Sequence, residues 1–96
     1  MEKYLVEKKN SNMYQLTLKQ YPTSFLMMQL LDQQLYCVIS THVDFDQRGK
    51  GIGTHLYKAM LDFIRKEKAK FNATCPFIVK LADLDQTIKD IYQPRY

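Results

Sequence analysis

The sequence predicts a small α/β protein with a mostly antiparallel sheet and one long helix. Three observations carry this. Strand-like segments, alternating or rich in β-formers, fill the stretch from Met13 to Val43. All three glycines, Gly49, Gly51 and Gly53, fall inside the stretch QRGKGIGTH at Gln47 to His55. Beyond that stretch the apolar residues recur at helical rather than strand spacing.

The elements follow in order. The first ten residues, MEKYLVEKKN, are polar and predict a frayed end or an edge. Met13 to Leu18 alternates in polarity and suits a strand. Tyr21-Pro22-Thr23-Ser24 reads as a turn. Phe25 to Leu31 reads as a buried strand, Asp32-Gln33-Gln34 turns the chain, and Leu35 to Val43 forms a third strand. Short turns between consecutive strands predict an antiparallel meander. Ile52, Leu56, Ala59, Met60, Phe63 and Ile64 then recur at helical spacing. Arg65, Lys66, Lys68 and Lys70 crowd the end of that helix, where cations complement its dipole. Phe71 to Cys75 is a short strand. Pro76 opens a second helix reaching Asp83 or Leu84, and Leu84 to Tyr92 adds a further helical turn.

Composition bounds the function. The chain of 96 residues fits one domain spanning residues 1–96. A net charge of +4 is compatible with nucleic acid, an anionic surface or a phosphorylated small molecule, and does not choose among them. Cys37 and Cys75 are too few for a disulfide scaffold, and their spacing fits no zinc pattern. Asp44 and Asp46 lack the following Gly and Glu that a calcium loop requires, so no metal site is expected. The N-terminus has no apolar signal region, and the best apolar run, Phe25 to Leu31, is too short to span a bilayer. A cytoplasmic location without a membrane partner is the expectation.

The glycine stretch is neither a Walker A loop nor a dinucleotide fingerprint, because its spacing fits neither. Its context still points to a ligand. A strand runs into the glycines and the glycines run into a helix. The first N–H groups of a helix lack intrahelical partners, and that end binds phosphate or pyrophosphate. Arg48 and Lys50 conflict with the dipole there, and a bound anion removes the conflict. The alternative is a strand-to-helix turn without a ligand.

Arg48-Gly49-Lys50-Gly51-Ile52-Gly53 resembles the Arg/Gln-x-x-Gly-x-Gly/Ala signature of the GNAT superfamily of acetyl-CoA-dependent N-acetyltransferases. The stretch Val43 to Gly53, the tetrapeptide Thr74-Cys75-Pro76-Phe77 and the end Asp90-Ile91-Tyr92 are similar to the small YjdJ-type branch. The likeness covers Ser40 to Tyr92. It implies a small, truncated GNAT-type domain whose glycine loop holds the pyrophosphate of coenzyme A. Arg48, Gly49, Lys50, Gly51, Ile52, Gly53 and Thr54 would form that loop, and the Val43 backbone would contact the pantetheine arm. The implied activity is acetyl transfer from acetyl-CoA to an unidentified amine, on a small molecule or a protein. Two departures matter. The branch's His-Thr-Glu is Ser40-Thr41-His42 here. The N-terminal helices of larger family members are missing, so the acceptor pocket would be open or completed by a partner.

Two side chains are candidates for catalysis. Cys75 precedes Pro76, so an extended backbone should place it at a strand end just before a helix, where a thiol tends to ionise. It would accept acetyl directly, or it is a small buried hydrophobe. His42 leads toward the same loop and would deprotonate an amine or thiol, or is an exposed strand-end side chain. Lys50, His55 and Lys58 are further phosphate contacts or solvated surface. Cys37 alternates within a strand and belongs to the core. Two rival functions stay open. One is a non-catalytic acyl-CoA-binding module. The other is a small nucleic-acid-binding protein, disfavoured because aromatic and basic residues are not interleaved. Monomer and homodimer are both compatible with the sequence.

Overall fold

A computed structural model describes residues 3–45 and 49–94. Five strands form one sheet in the order β1-β2-β3-β4-β5, with β1 at Tyr4–Lys8, β2 at Met13–Leu18, β3 at Tyr21–Asp32, β4 at Leu35–His42 and β5 at Lys70–Ala73. The first four pair antiparallel, and β5 pairs with β4 in parallel. The parallel step needs a crossover, which α1 (Ile52–Lys66) supplies. α2 (Pro76–Leu84) and a 3₁₀ turn at Gln86–Ile88 complete the chain. This is the small α/β class that the sequence predicts, with a mixed, mostly antiparallel sheet and two helices.

The period-two pattern places alternate residues on opposite faces. Leu16, Leu26, Met28, Val38 and Phe71 point into one core, where they meet Ile52, Leu56, Met60 and Ile64 of α1 and Ile78 and Ala82 of α2. The helical spacing of those four α1 residues lays them along one stripe, and all are buried. Beyond β5, the C-terminal segment continues the hydrogen-bonding surface. The Phe71 N–H donates to the Ile91 carbonyl at 2.8 Å, and the Gln93 N–H donates to the Phe71 carbonyl at 2.8 Å. The Phe71 and Tyr92 rings stack with centroids 5.1 Å apart.

Two expectations change. Tyr21 to Ser24 is strand, not turn; the chain reverses at Lys19-Gln20, one step earlier. Pro22 is tolerated because its stretch lies at an irregularity. The register jumps from Thr17↔Phe25 to Leu18↔Tyr21, and pairing with β4 begins only at Phe25↔His42. The last strand of the sheet stops at Ala73 rather than Cys75, since the Thr74 and Cys75 N–H groups both converge on the Val38 carbonyl. The polar N-terminus supplies the edge strand β1, charged enough to discourage further pairing.

Three carboxylates tie α1 to its surroundings. Tyr4 donates to Asp62 at 2.7 Å. Tyr57 donates to Asp85 at 2.8 Å, and Arg65 donates to Asp90 at 2.8 and 3.2 Å. Each carboxyl is held below its ordinary range. The Tyr4 hydroxyl and then Lys66 do this for Asp62, the Thr87 hydroxyl and backbone N–H and then Tyr57 for Asp85, and Arg65 for Asp90. Burial, followed by the bond to Asp85, pushes the Tyr57 phenol up. A carboxyl depressed in the folded state stabilises the fold above its unfolded pKa, and that contribution is lost on protonation. The melting temperature is therefore expected to fall as pH drops below about 4. Asp85→Asn should flatten that fall in a series of thermal scans. An equal acid slope in the variant would contradict the assignment.

Candidate functional site

The site is built where β4, α1 and α2 diverge. The β4–β5 ladder ends at Val38↔Ala73. β4 continues to His42 with β3 alone, so its β5-side edge over residues 39–42 has no ladder partner among the described residues. Ile39 is an extra residue in β4, since Met28 faces Val38 and Met27 faces Ser40. Such a bulge bends the strand and increases its twist. The strand end and the start of α2 thus splay apart.

An open groove of about 380 Å³ lies in that wedge. Thr41 and Val43 form one wall, Phe77 another, and the glycine loop with the first turn of α1 closes its end. Gly49 and Gly51 both have positive φ, 87° and 73°, where an added Cβ would meet open space but a strained backbone. Glycine is therefore required at these two positions for conformation and not for packing. Gly51 is the N-cap of α1. No side chain caps the helix and no acidic residue occupies its first turn. The first α-helical bond is from the His55 N–H to the Gly51 carbonyl, 3.1 Å, leaving the N–H groups of Ile52, Gly53 and Thr54 without intrahelical acceptors. Gly53 serves a different purpose. A Cβ there would lie 2.8 Å from Phe77 Cζ, so the Phe77 ring packs directly on the helix backbone.

The residues singled out from the sequence separate into groups. Val43, Gly49, Gly51, Ile52, Gly53 and Thr54 all line the groove. Lys50 is exposed within the loop. Arg48 lies outside the described residues. Cys75 is the N-cap of α2 with an extended backbone, as its place before Pro76 predicts. It is 5% exposed and sits behind the groove wall, with Thr41 Oγ1 3.5 Å from its sulfur. Cys37 is buried, as expected. His42 alternates with Thr41. Its ring stacks on Phe25 at 5.1 Å, and its Nε2 lies 3.3 Å from Asp44 Oδ1. The Asp44 carboxyl is held below its usual range, first by the Thr23 hydroxyl and then by His42. His55 and Lys58 line a second groove, on the side of α1 facing β1 and β2.

Two groove residues carry no strong signal in the sequence. Phe77 reads as an ordinary helix residue, although it stands in the Thr74–Phe77 tetrapeptide. Thr41 reads as one more strand residue. Only the tertiary placement of the β4 end and the start of α2 on either side of one groove brings both to the glycine loop. Among the described residues no cluster of His, Cys, Asp and Glu is placed to hold a metal ion. No described helix is long and apolar enough to cross a membrane.

The arrangement suits an anionic ligand with an extended arm. The N–H groups of Ile52, Gly53 and Thr54, without intrahelical acceptors, lie beside two left-handed glycines at one end of the groove, a geometry that suits an anion, and the β4 edge that has no ladder partner among the described residues offers backbone groups to a linear chain. Residues 13–91 match the model of the GCN5-related N-acetyltransferase family. The fold is similar to the NMR solution structure of a GCN5-like protein from Staphylococcus aureus. The TM-score is 0.67 at 18% identity, over 100% of this chain and 94% of that one. No curated protein matches the chain.

Proposed function

The chain belongs to the GCN5-related N-acetyltransferase family, and from that premise we propose that it transfers acetyl from acetyl-CoA to an amine. One observation carries the reading: the groove joins an uncapped, acid-free helix N-terminus to an unpaired strand edge. The motifs at Val43 to Gly53 and Thr74 to Phe77 further support a place in the YjdJ-type branch. The whole chain, residues 1–96, acts as one coenzyme-binding domain in this reading.

The residues present fit the coenzyme. The N–H groups of Ile52, Gly53 and Thr54 would hold the pyrophosphate, with Gly49 and Gly51 giving access and Lys50 and Arg48 adding charge. The Val43 backbone and the free edge of β4 would hold the pantetheine arm. Acetyl-CoA supplies an acyl carbon activated as a thioester. Phe77 and Thr41 would shield that arm from water on the α2 side.

His42 is the base we propose for an amine that approaches past the strand end, since its ring lies outside the groove lining and faces away from Thr41. If its Nε2–H is donated to the ionised Asp44, Nδ1 keeps a lone pair for the proton. The strand-end position leaves the ring exposed enough to meet an acceptor. Cys75 supports a second route, in which its thiol takes the acetyl before the amine does. Its burial behind Thr41 favours the direct route.

Turnover measured as release of free coenzyme thiol over an amine panel tests both. Cys75→Ala is expected to retain turnover within a few-fold, and His42→Gln to lose about 100-fold at neutral pH. Loss of turnover in Cys75→Ala, with an added acetyl on Cys75 by intact mass in the wild-type protein, would make the covalent route the mechanism. Tight coenzyme binding without turnover on any amine would make the protein an acyl-CoA-binding module.

A further inference from the structure

A groove larger than the one beside the glycines lies elsewhere on the molecule. It measures about 540 Å³ and runs between α1 and the end of the sheet where β1 begins and β2 turns into β3. That volume is in the range of small-molecule sites. His55, Lys58, Asp62 and Lys66 stand at helical spacing and form one charged stripe along its α1 wall. Lys3 faces them from the start of β1. The floor is apolar and aromatic, from Tyr4, Leu18, Tyr21 and the small Ala59.

Charge in the groove is unbalanced. Asp62 is its one carboxylate, and it is already engaged by the Tyr4 hydroxyl at 2.7 Å and by Lys66 at 3.1 Å. Lys66 also lies 5.8 Å from the centroid of the Tyr4 ring. These contacts fix one wall before anything binds. Lys3 and Lys58 engage no carboxylate among the described residues, and both point into the same concavity. Like charges held together over an aromatic floor favour a ligand that is anionic at one end and flat and apolar at the other.

We propose that the groove between α1 and the β1–β2 end of the sheet binds a small aromatic anion, a phosphate monoester or carboxylate, at a site separate from the glycine loop. Lys3 and Lys58 hold the anionic group, and Tyr4, Tyr21 and Ala59 receive the ring. Ala59 sets the depth, because any larger side chain at that position would fill the groove.

Titration of isotopically labelled protein with phenyl phosphate and with phenylacetate tests this by NMR. Both should give saturating shifts at Lys3, Tyr21, Lys58 and Ala59, weaker as salt is raised. Benzyl alcohol, the neutral control, should give none. Lys58→Gln should weaken binding about fivefold. Ala59→Leu should abolish saturation while the amide pattern outside the groove is retained. An equal excess of coenzyme A should leave the affinity unchanged. Shifts confined to Gly49 to Thr54, equal affinity in both variants, or displacement by coenzyme A would each overturn the proposal.

Discussion

Phe71→Ala should cost the protein most of its stability. Phe71 is fully buried in a strand of only four residues, and its ring is stacked on Tyr92. Truncating a buried phenylalanine costs about 3–5 kcal/mol. That is a large part of the roughly 5–15 kcal/mol a domain has in total. The backbone bonds to Ile91 and Gln93 survive the substitution, so the loss reports packing alone. The melting temperature should fall by about 15 °C or more, since 1 kcal/mol shifts a domain of this size by about 4–8 °C. Phe71→Leu, which keeps most of the apolar volume, should recover more than half of the loss. A melting temperature unchanged in Phe71→Ala would mean that β5 and the C-terminal segment are not part of the cooperative unit.

Gly51→Val is the second large effect, and it acts on the site. Gly51 has φ 73° and ψ 18° at the N-cap of α1. A β-branched residue is a severe outlier there, and the left-handed conformation costs an ordinary residue about 1–2 kcal/mol. The loop must then rearrange, and the N–H groups of Ile52 to Thr54 lose their common aim. Coenzyme A affinity should fall at least tenfold, equivalent to about 1.4 kcal/mol. Calorimetry with coenzyme A measures this directly. Thermal scans of the same sample separate it from unfolding, with an expected drop of about 5–10 °C. Lys50→Gln, on the exposed part of the loop, should weaken binding less and leave the melting temperature in place.

Much of this fold is legible because local and tertiary preferences agree. Met13 to Leu18 alternates cleanly, and the strand has those bounds. The helical stripe from Ile52 to Ile64 is buried along its length, and Pro76 opens α2 as its fixed backbone angle suits. The misread segment, Tyr21 to Ser24, shows where local signals mislead. Pro22 signals a turn because it lacks an N–H, but at a register irregularity that N–H is not needed. The sheet pairing around it decides, and no local window contains that information. β1 is ambiguous for a related reason: an edge strand needs only one partner, so its own sequence can stay polar.

The candidate site divides in the same way. The glycine loop is visible in the sequence because positive φ demands glycine, and Gly49 and Gly51 both have it. The roles of Thr41 and Phe77 arise only when the β4 end and the start of α2 stand on either side of one groove. His55 and Lys58 follow the loop closely in sequence and suggest further phosphate contacts. The helical rotation carries them to the other side of α1, into the second groove. His42 and Thr41 are neighbours in the chain but face opposite ways, so the thiol of Cys75 meets the threonine and the histidine meets Asp44.

The most direct test of the account is a titration of labelled protein with acetyl-CoA, followed by NMR. Saturating shifts at Thr41 to Val43, Gly49 to Thr54 and Phe77 are the expected result, and would place the coenzyme in the wedge between β4 and α2. An absence of shifts, or shifts confined to Lys3, Lys58 and Ala59, would mean that the glycine loop only turns the chain into α1. In that case the wedge is not the coenzyme site.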